Sequence, residues 1–166
     1  KILDPEKPVV LVLTDHKGCY QKSDVEADLI AFLAHKLIMS NSILPDQIAI
    51  ISPHRAQNNA IIKKLEEIVP IKNLPLVDTV ERIQGEERDV IIFGITCSDI
   101  DHLQSDFLNS PNRLNVAMTR AKTKLIIIAS KIFYYTIPES ERIRKKNSCF
   151  KQLFSYCKKQ NTVLYC

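Results

Sequence analysis

Apolar positions along the chain gather into short continuous runs, separated by stretches in which they recur with helical spacing. The longest runs cover residues 9–13, 90–95 and 125–129. They are strand-sized and rich in Val, Ile and Leu, as expected of strands buried on both faces. The pattern predicts strands over 8–14, 47–51, 76–79, 89–96 and 124–130, with a final one over 162–165. Ser23 is placed to cap a helix, and Glu26 three residues on would complete a capping box. Ala27, Ile30, Ala31, Ala34, Leu37 and Ile38 then keep the helical spacing to about Met39.

Pro45 and Asp46 turn the chain into the second strand, and Pro53 and His54 open a helix that runs through Ile61, Ile62 and Leu65 until Pro70 stops it. Residues 99–109 are polar and read as a surface loop. Pro111 starts a further helix at its favoured first position, with Leu114, Val116, Ala117 and Ala121 for packing. Past residue 130 a helical tail carries Phe150, Leu153, Phe154 and Cys157 on one stripe. Strands alternating with helices predict an α/β fold: one three-layer domain with a mostly parallel central sheet flanked by helices. The 166 residues suit a single domain with its own core, and neither a linker nor an internal repeat interrupts them.

Composition adds constraints more than direction. A net charge of +4 leans only mildly toward polyanions. Part of the excess sits in Arg142, Arg144, Lys145 and Lys146, a run that reads as a solvated helix face. The five cysteines are odd in number and form no C-x-x-C pair, and the four histidines are scattered, so no metal site is expected. The cysteines read as reduced thiols of an intracellular, cytoplasmic protein, nuclear if the source is eukaryotic. No apolar run approaches the roughly 20 residues of a membrane helix. The start, Lys-Ile-Leu-Asp-Pro, has no signal-peptide character and no initiator Met, which reads as a fragment of a longer protein.

In open parallel sheets, ligands collect near strand ends, so the residues flanking strands carry the interest. Three stretches stand out: Ser52-Pro53-His54-Arg55-Ala56-Gln57; Val77-Asp78-Thr79-Val80 through Gln84-Gly85-Glu86-Glu87-Arg88-Asp89; and Asn112-Arg113-Leu114-Asn115-Val116-Ala117-Met118-Thr119-Arg120-Ala121-Lys122. Singly they are ambiguous. Arg55 and Arg120 serve equally well as surface ion pairs, Gly85 as a turn glycine, Asn115 and Thr119 as capping residues.

In this order and spacing the three stretches resemble motifs IV, V and VI of superfamily 1 helicases, in the branch that includes the nonsense-mediated-decay helicase. Phe107-Leu108-Asn109 also fits the lead-in to motif VI. The resemblance spans roughly residues 23–130. It implies the second RecA-like domain of an ATP-driven motor, with a motif-bearing core over about 8–130 and a tail over 132–166. The resemblance further implies that Arg120 and Arg55 reach the γ-phosphate of ATP bound mainly on the first RecA-like domain. There fixed guanidinium groups would stabilise charge spreading over the phosphoryl oxygens. Some relatives carry the motif IV arginine a turn later, where this chain has Asn58.

By the same resemblance Glu87, set up by Gly85, accepts a hydrogen bond from the ribose. His54 stands where relatives often stack a tyrosine on adenine. Thr79, Gln84, Ser52 and Pro53 lie along the single-stranded DNA or RNA, with Arg82 and Arg113 as phosphate contacts or, more simply, partners of nearby acids. Movement from 5′ to 3′ is implied on the same footing.

The chain's glycines stand only at positions 18, 85 and 94, so it contains no Gly-x-x-x-x-Gly-Lys-Ser/Thr phosphate loop. Mg²⁺ and the catalytic acid are therefore expected from the first domain, and the chain alone is expected to be inactive as an ATPase. Two other readings stay open: a nucleic-acid-binding or protein-docking module on a degenerate RecA-like fold, and a simple nucleotide-binding α/β enzyme. The second has little to stand on, because Asp15-His16-Lys17-Gly18 offers one glycine after the first strand.

Overall fold

A computed structural model of the chain describes residue 2 and residues 4–40, 43–83 and 85–166, with Ile71 described by its backbone alone. Six strands form one sheet: β1 (Val9–Thr14), β2 (Ile48–Ile51), β3 (Leu76–Asp78), β4 (Arg88–Gly94), β5 (Ala121–Ser130) and β6 (Val163–Tyr165). Their order is β3-β2-β4-β5-β1-β6, and every pairing is parallel. Alternate strand residues supply two separate cores. Val10, Val12, Ile50, Ile92 and Ile128 face helices α1 (Asp24–Met39) and α2 (Arg55–Ile68). Leu11, Leu13, Ile51, Phe93 and Ile127 face α3 (Pro111–Arg120) and α5 (Glu141–Lys159). Covering both faces removes any need for polar alternation, which is why the strands read as unbroken apolar runs.

Three departures from the sequence pattern have local causes. Strand β5 begins at Ala121, three residues before the predicted start. Its polar first residues continue the ladder against β4, with Arg88 opposite Ala121 and Val90 opposite Lys124. A short helix, α4 (Lys131–Tyr135), follows β5 directly and is too brief to leave a periodic signal. Ser130 caps it by accepting from the Ile132 amide at 3.2 Å.

The third departure concerns Glu26. Ser23 does cap α1, its Oγ accepting from the Glu26 amide at 3.2 Å. The reciprocal half of the capping box is not made, because the Ser23 amide donates to Gln57 Oε1 at 2.7 Å instead. Glu26 turns into the core, 0% exposed, and its Oε2 accepts from the Thr96 amide at 2.8 Å. Gly94 leaves room for this. A Cβ there would lie 2.9 Å from Ile30 Cδ1 and 3.1 Å from Glu26 Oε2. Gly94→Ala therefore overpacks the α1 face and is expected to cost about 1–3 kcal/mol, read as a lower midpoint in urea denaturation. An unchanged midpoint would show that Ile30 yields freely.

The tail is tied to the motif-bearing core. Phe150 of α5 packs edge-on to Phe133 of α4, centroids 5.2 Å apart at 89°. Asn147 of α5 donates to Asn109 Oδ1 at 2.7 Å, while Asn109 Nδ2 donates to the carbonyls of Leu103 and Ser105. A buried amide pair thus fixes the loop that leads into α3. A hollow of ≈ 850 Å³ lies over α4 and α5 among Tyr135, Ile137, Phe154 and Tyr156, and none of the motif residues lines it.

Candidate functional site

The parallel register sorts the motif residues to two ends of the sheet. At the amino end of the strands, Arg88 pairs with Ala121. Glu87 immediately before β4 and Arg120 immediately before β5 are therefore neighbours. Glu86 is engaged by Arg88 at 2.6 Å, whereas Glu87 has no cationic partner among the described residues and is exposed. Arg120 likewise has no acidic partner among the described residues, and its Nε is buried without a hydrogen bond. Gly85, at φ +93°, makes the turn that delivers this end of β4, a conformation glycine adopts without steric cost. Gln84, the remaining motif V residue expected near the strand, lies outside the described residues.

The carboxyl end gathers the rest. Ser52, Pro53, His54 and Arg55 follow β2, and Thr79 follows β3. Ser52 and Pro53 are buried, and Ser52 Oγ is spent on Asn58 Oδ1 at 2.8 Å and on the His54 carbonyl at 3.1 Å. Both residues are packed beneath the start of α2. Thr79 is half-buried, its amide donating to Asp78 Oδ1 at 2.8 Å. Arg82 reaches Asp78 at 3.7 Å, and Arg113 binds Glu81 at 2.7 Å while lying 3.6 Å over the Phe107 ring. Each arginine is thus paired with a nearby acid in this structure. Arg55 is exposed and, among the described residues, free of any ion pair.

The two ends are far apart. From Glu87 to Phe93, the residue opposite Ile51, is six residues of extended chain, about 20 Å. The expected ribose contact, Glu87, and the expected adenine contact, His54, therefore lie at opposite ends of the sheet. Arg55 is separated from Arg120 in the same way. It opens α2 on one face of the sheet at its carboxyl end, whereas Arg120 closes α3 on the other face at its amino end. The fold thus does not bring the two expected γ-phosphate arginines together.

Two arrangements of side chains were not anticipated. One is a buried polar network at the carboxyl ends of β1 and β4. His16 Nδ1 lies 2.6 Å from Thr14 Oγ1, and its Nε2 lies 3.1 Å from the Thr96 carbonyl and 3.7 Å from Glu26 Oε1. Burial pushes the Glu26 carboxyl up to about 8, against the opposing bond from the Thr96 amide. Burial likewise lowers the His16 pKa. Both directions describe a neutral pair. The network holds Thr96 at φ +71°, a backbone strain unusual for a β-branched residue. The sequence did carry a sign of it, since Glu26 falls on the same helical stripe as Ile30 and Ala34.

The other is an aromatic cluster over the carboxyl end. Tyr20 stacks on His102 with centroids 3.7 Å apart at 21°, and meets His54 edge-on at 5.5 Å. His54 in turn lies 5.2 Å from Phe107. Burial and the nearby Arg113 charge lower the His54 pKa, so the ring is neutral near pH 7. Among the described residues no group of three or more acidic, His and Cys side chains is placed to hold a metal ion.

With β-strands in this order, helices on both faces and the motif residues at the strand ends, the molecule is an α/β domain of RecA-like architecture. Residues 3–132 match the profile of a family described as an AAA domain. The chain is 30% identical to the DNA replication ATP-dependent helicase/nuclease DNA2 of Xenopus tropicalis over 169 residues, covering 98% of this chain and 15% of that protein. It is also 30% identical to the Arabidopsis thaliana DNA replication ATP-dependent helicase/nuclease JHS1, covering 83% of this chain and 11% of the relative. Identity to the Gallus gallus putative helicase MOV-10 is 34%, covering 63% and 13%. The chain belongs to this AAA-domain family of superfamily 1 helicases. It spans less than a sixth of the length of these relatives. No helix among the described residues is long and apolar enough to cross a membrane.

Proposed function

We propose that this domain is the second motor domain of an ATP-dependent helicase or translocase acting on single-stranded DNA or RNA, with its two sheet ends serving two ligands. The amino end serves the nucleotide. Glu87 accepts from the ribose hydroxyls, and Arg120 stabilises charge on the transferring phosphoryl group. Arginine suits that task because it stays charged and bonds phosphate oxygens in pairs. The observation that carries this reading is the adjacency of Glu87 and Arg120 across the β4–β5 ladder, each unpaired among the described residues. The phosphate loop, Mg²⁺ and the catalytic acid come from a first RecA-like domain against which this end docks.

The carboxyl end serves the strand. Thr79 and the free Arg55 face the sugar-phosphate backbone, which makes binding weakly sequence-specific and salt-sensitive. This assignment moves Arg55 from the nucleotide to the strand, as its position beside Thr79 favours. ATP draws the two domains together through Arg120, and hydrolysis releases them, so that each cycle shifts the grip on the strand.

The purified chain, which has no phosphate loop, is expected to show no ATP hydrolysis above background at any strand concentration. Robust, strand-stimulated turnover by the chain alone would refute the division of labour. In the intact protein, Glu87→Gln is expected to raise the KM for ATP several-fold with little change in kcat, since a ribose contact is kept throughout the reaction.

A further inference from the structure

We propose that Tyr20 and His102, backed by His54 and Phe107, form a platform on which a base of the single strand stacks. The inference rests on the reading of the carboxyl end as the strand surface, and it adds residues that lie outside motifs IV to VI.

Three separate loops converge to build the cluster. Tyr20 lies between β1 and α1, His54 between β2 and α2, and His102 and Phe107 between β4 and α3. The rings form a ladder rather than a plug in the core. Tyr20 is 40% exposed, Phe107 42%, and the His102 side chain 45%. Arg113 covers one face of Phe107, so the open aromatic surface is at the Tyr20–His102 end.

The surroundings hold these rings in place. The Tyr20 loop is laced to the His102 loop by the amides of Ser98 and Asp99, which both donate to the Cys19 carbonyl at 2.7 and 2.9 Å. The Cys19 amide donates in return to Ser98 Oγ at 3.0 Å, and the Gly18 amide to the Ser98 carbonyl at 3.3 Å. Gly18 turns there at φ +66°. Asp99 fixes the His102 ring through Nδ1 at 2.8 Å. Just before these residues, Thr96 is pinned by Glu26 and His16.

A rigid, half-exposed aromatic pair loses little freedom on binding a flat ligand. Next to the ladder in sequence stand two cations without an ion pair among the described residues, Lys17 and Arg55. Aromatic faces beside free cations match the two chemistries of a single strand, bases that stack and phosphates that attract. The stack requires no particular base, in keeping with a motor that must pass every sequence.

The test uses the whole chain with two labelled strands of about 15 nucleotides, oligothymidylate and an abasic phosphodiester strand of equal length. Tyr20→Ala is expected to weaken oligothymidylate binding about tenfold by fluorescence anisotropy and to leave the abasic strand unchanged. Tyr20→Phe should restore wild-type affinity, and far-ultraviolet circular dichroism checks that each variant is folded. If Tyr20→Ala weakens both strands equally or neither, the platform is wrong while the strand surface stands. If the chain binds neither strand at low salt, the strand surface itself is wrong and the platform falls with it. Should Tyr20→Ala fail to fold, His102→Ala and the wild-type preference for oligothymidylate over the abasic strand decide the matter, and equal wild-type affinities would overturn the platform.

Discussion

On the proposed assignment, Arg120→Ala in the intact protein is expected to lower ATP turnover by about a thousandfold or more while changing single-strand affinity less than about twofold. The size follows from what a guanidinium supplies in phosphoryl transfer, where arginines reaching across a domain cleft contribute about 10³–10⁵ to the rate. The selectivity follows from the fold. Arg120 lies at the amino end of the sheet, about 20 Å along the strands from Arg55 and Thr79. It holds no ion pair among the described residues, so its removal strands no buried carboxylate and the domain should keep its stability. Arg120→Lys is expected to restore little, because a single ammonium lacks the paired geometry. Phosphate-release kinetics and anisotropy on the same preparation measure both quantities. Near-normal turnover would place the transition-state charge elsewhere.

The second large effect is on stability. Glu26 is protonated in the fold to about pH 8 and would ionise near 4.5 when unfolded. A raised folded pKa means that the native state binds the proton more tightly. Stability from this group is therefore complete below about 4.5, declines as pH rises, and is lost above about 8. The full loss is of order 5 kcal/mol, a large fraction of a domain's total. His16 acts in the opposite sense. Its pKa is lowered, so its contribution is present above the ordinary histidine range and fades as pH falls below about 6.5.

Glu26→Gln keeps an oxygen for the Thr96 amide but cannot ionise. It is expected to match the wild type near pH 5 and to exceed it by several kcal/mol at pH 9, flattening the alkaline limb of urea denaturation midpoints. An equally steep limb in the variant would show that Glu26 ionises without cost and that the pair with His16 is charged.

Much of this fold could be read from the chain because both sheet faces are covered. Unbroken runs such as 90–95 admit few arrangements other than a central parallel strand, and Pro111 and Ser23 mark helix starts through chemistry that acts locally. Glu26 departs from the pattern for the complementary reason. The Ser-x-x-Glu spacing predicts a carboxylate folded back on its own helix, but the space above Gly94 draws it inward to the strained Thr96 amide, an interaction 70 residues away in sequence. The site divides along the same line. Arg120 and Glu87 were visible as motif residues, and their adjacency needed only the β4–β5 register. The stack of Tyr20 on His102 was not visible, because nothing near either residue marks the other and only the strand order brings their loops together. Ser52 and Pro53 carry a motif signal, and nothing in that signal shows that both are buried at the start of α2.

Amide chemical-shift mapping on the isotopically labelled chain tests the two-ended arrangement most directly. Titration with single-stranded oligothymidylate should move the resonances of Cys19, Tyr20, Arg55, Thr79 and His102 and leave those of Glu87, Arg88, Arg120 and Ala121 in place. Shifts concentrated at those last four residues, with the loops around Tyr20 and Thr79 silent, would contradict it.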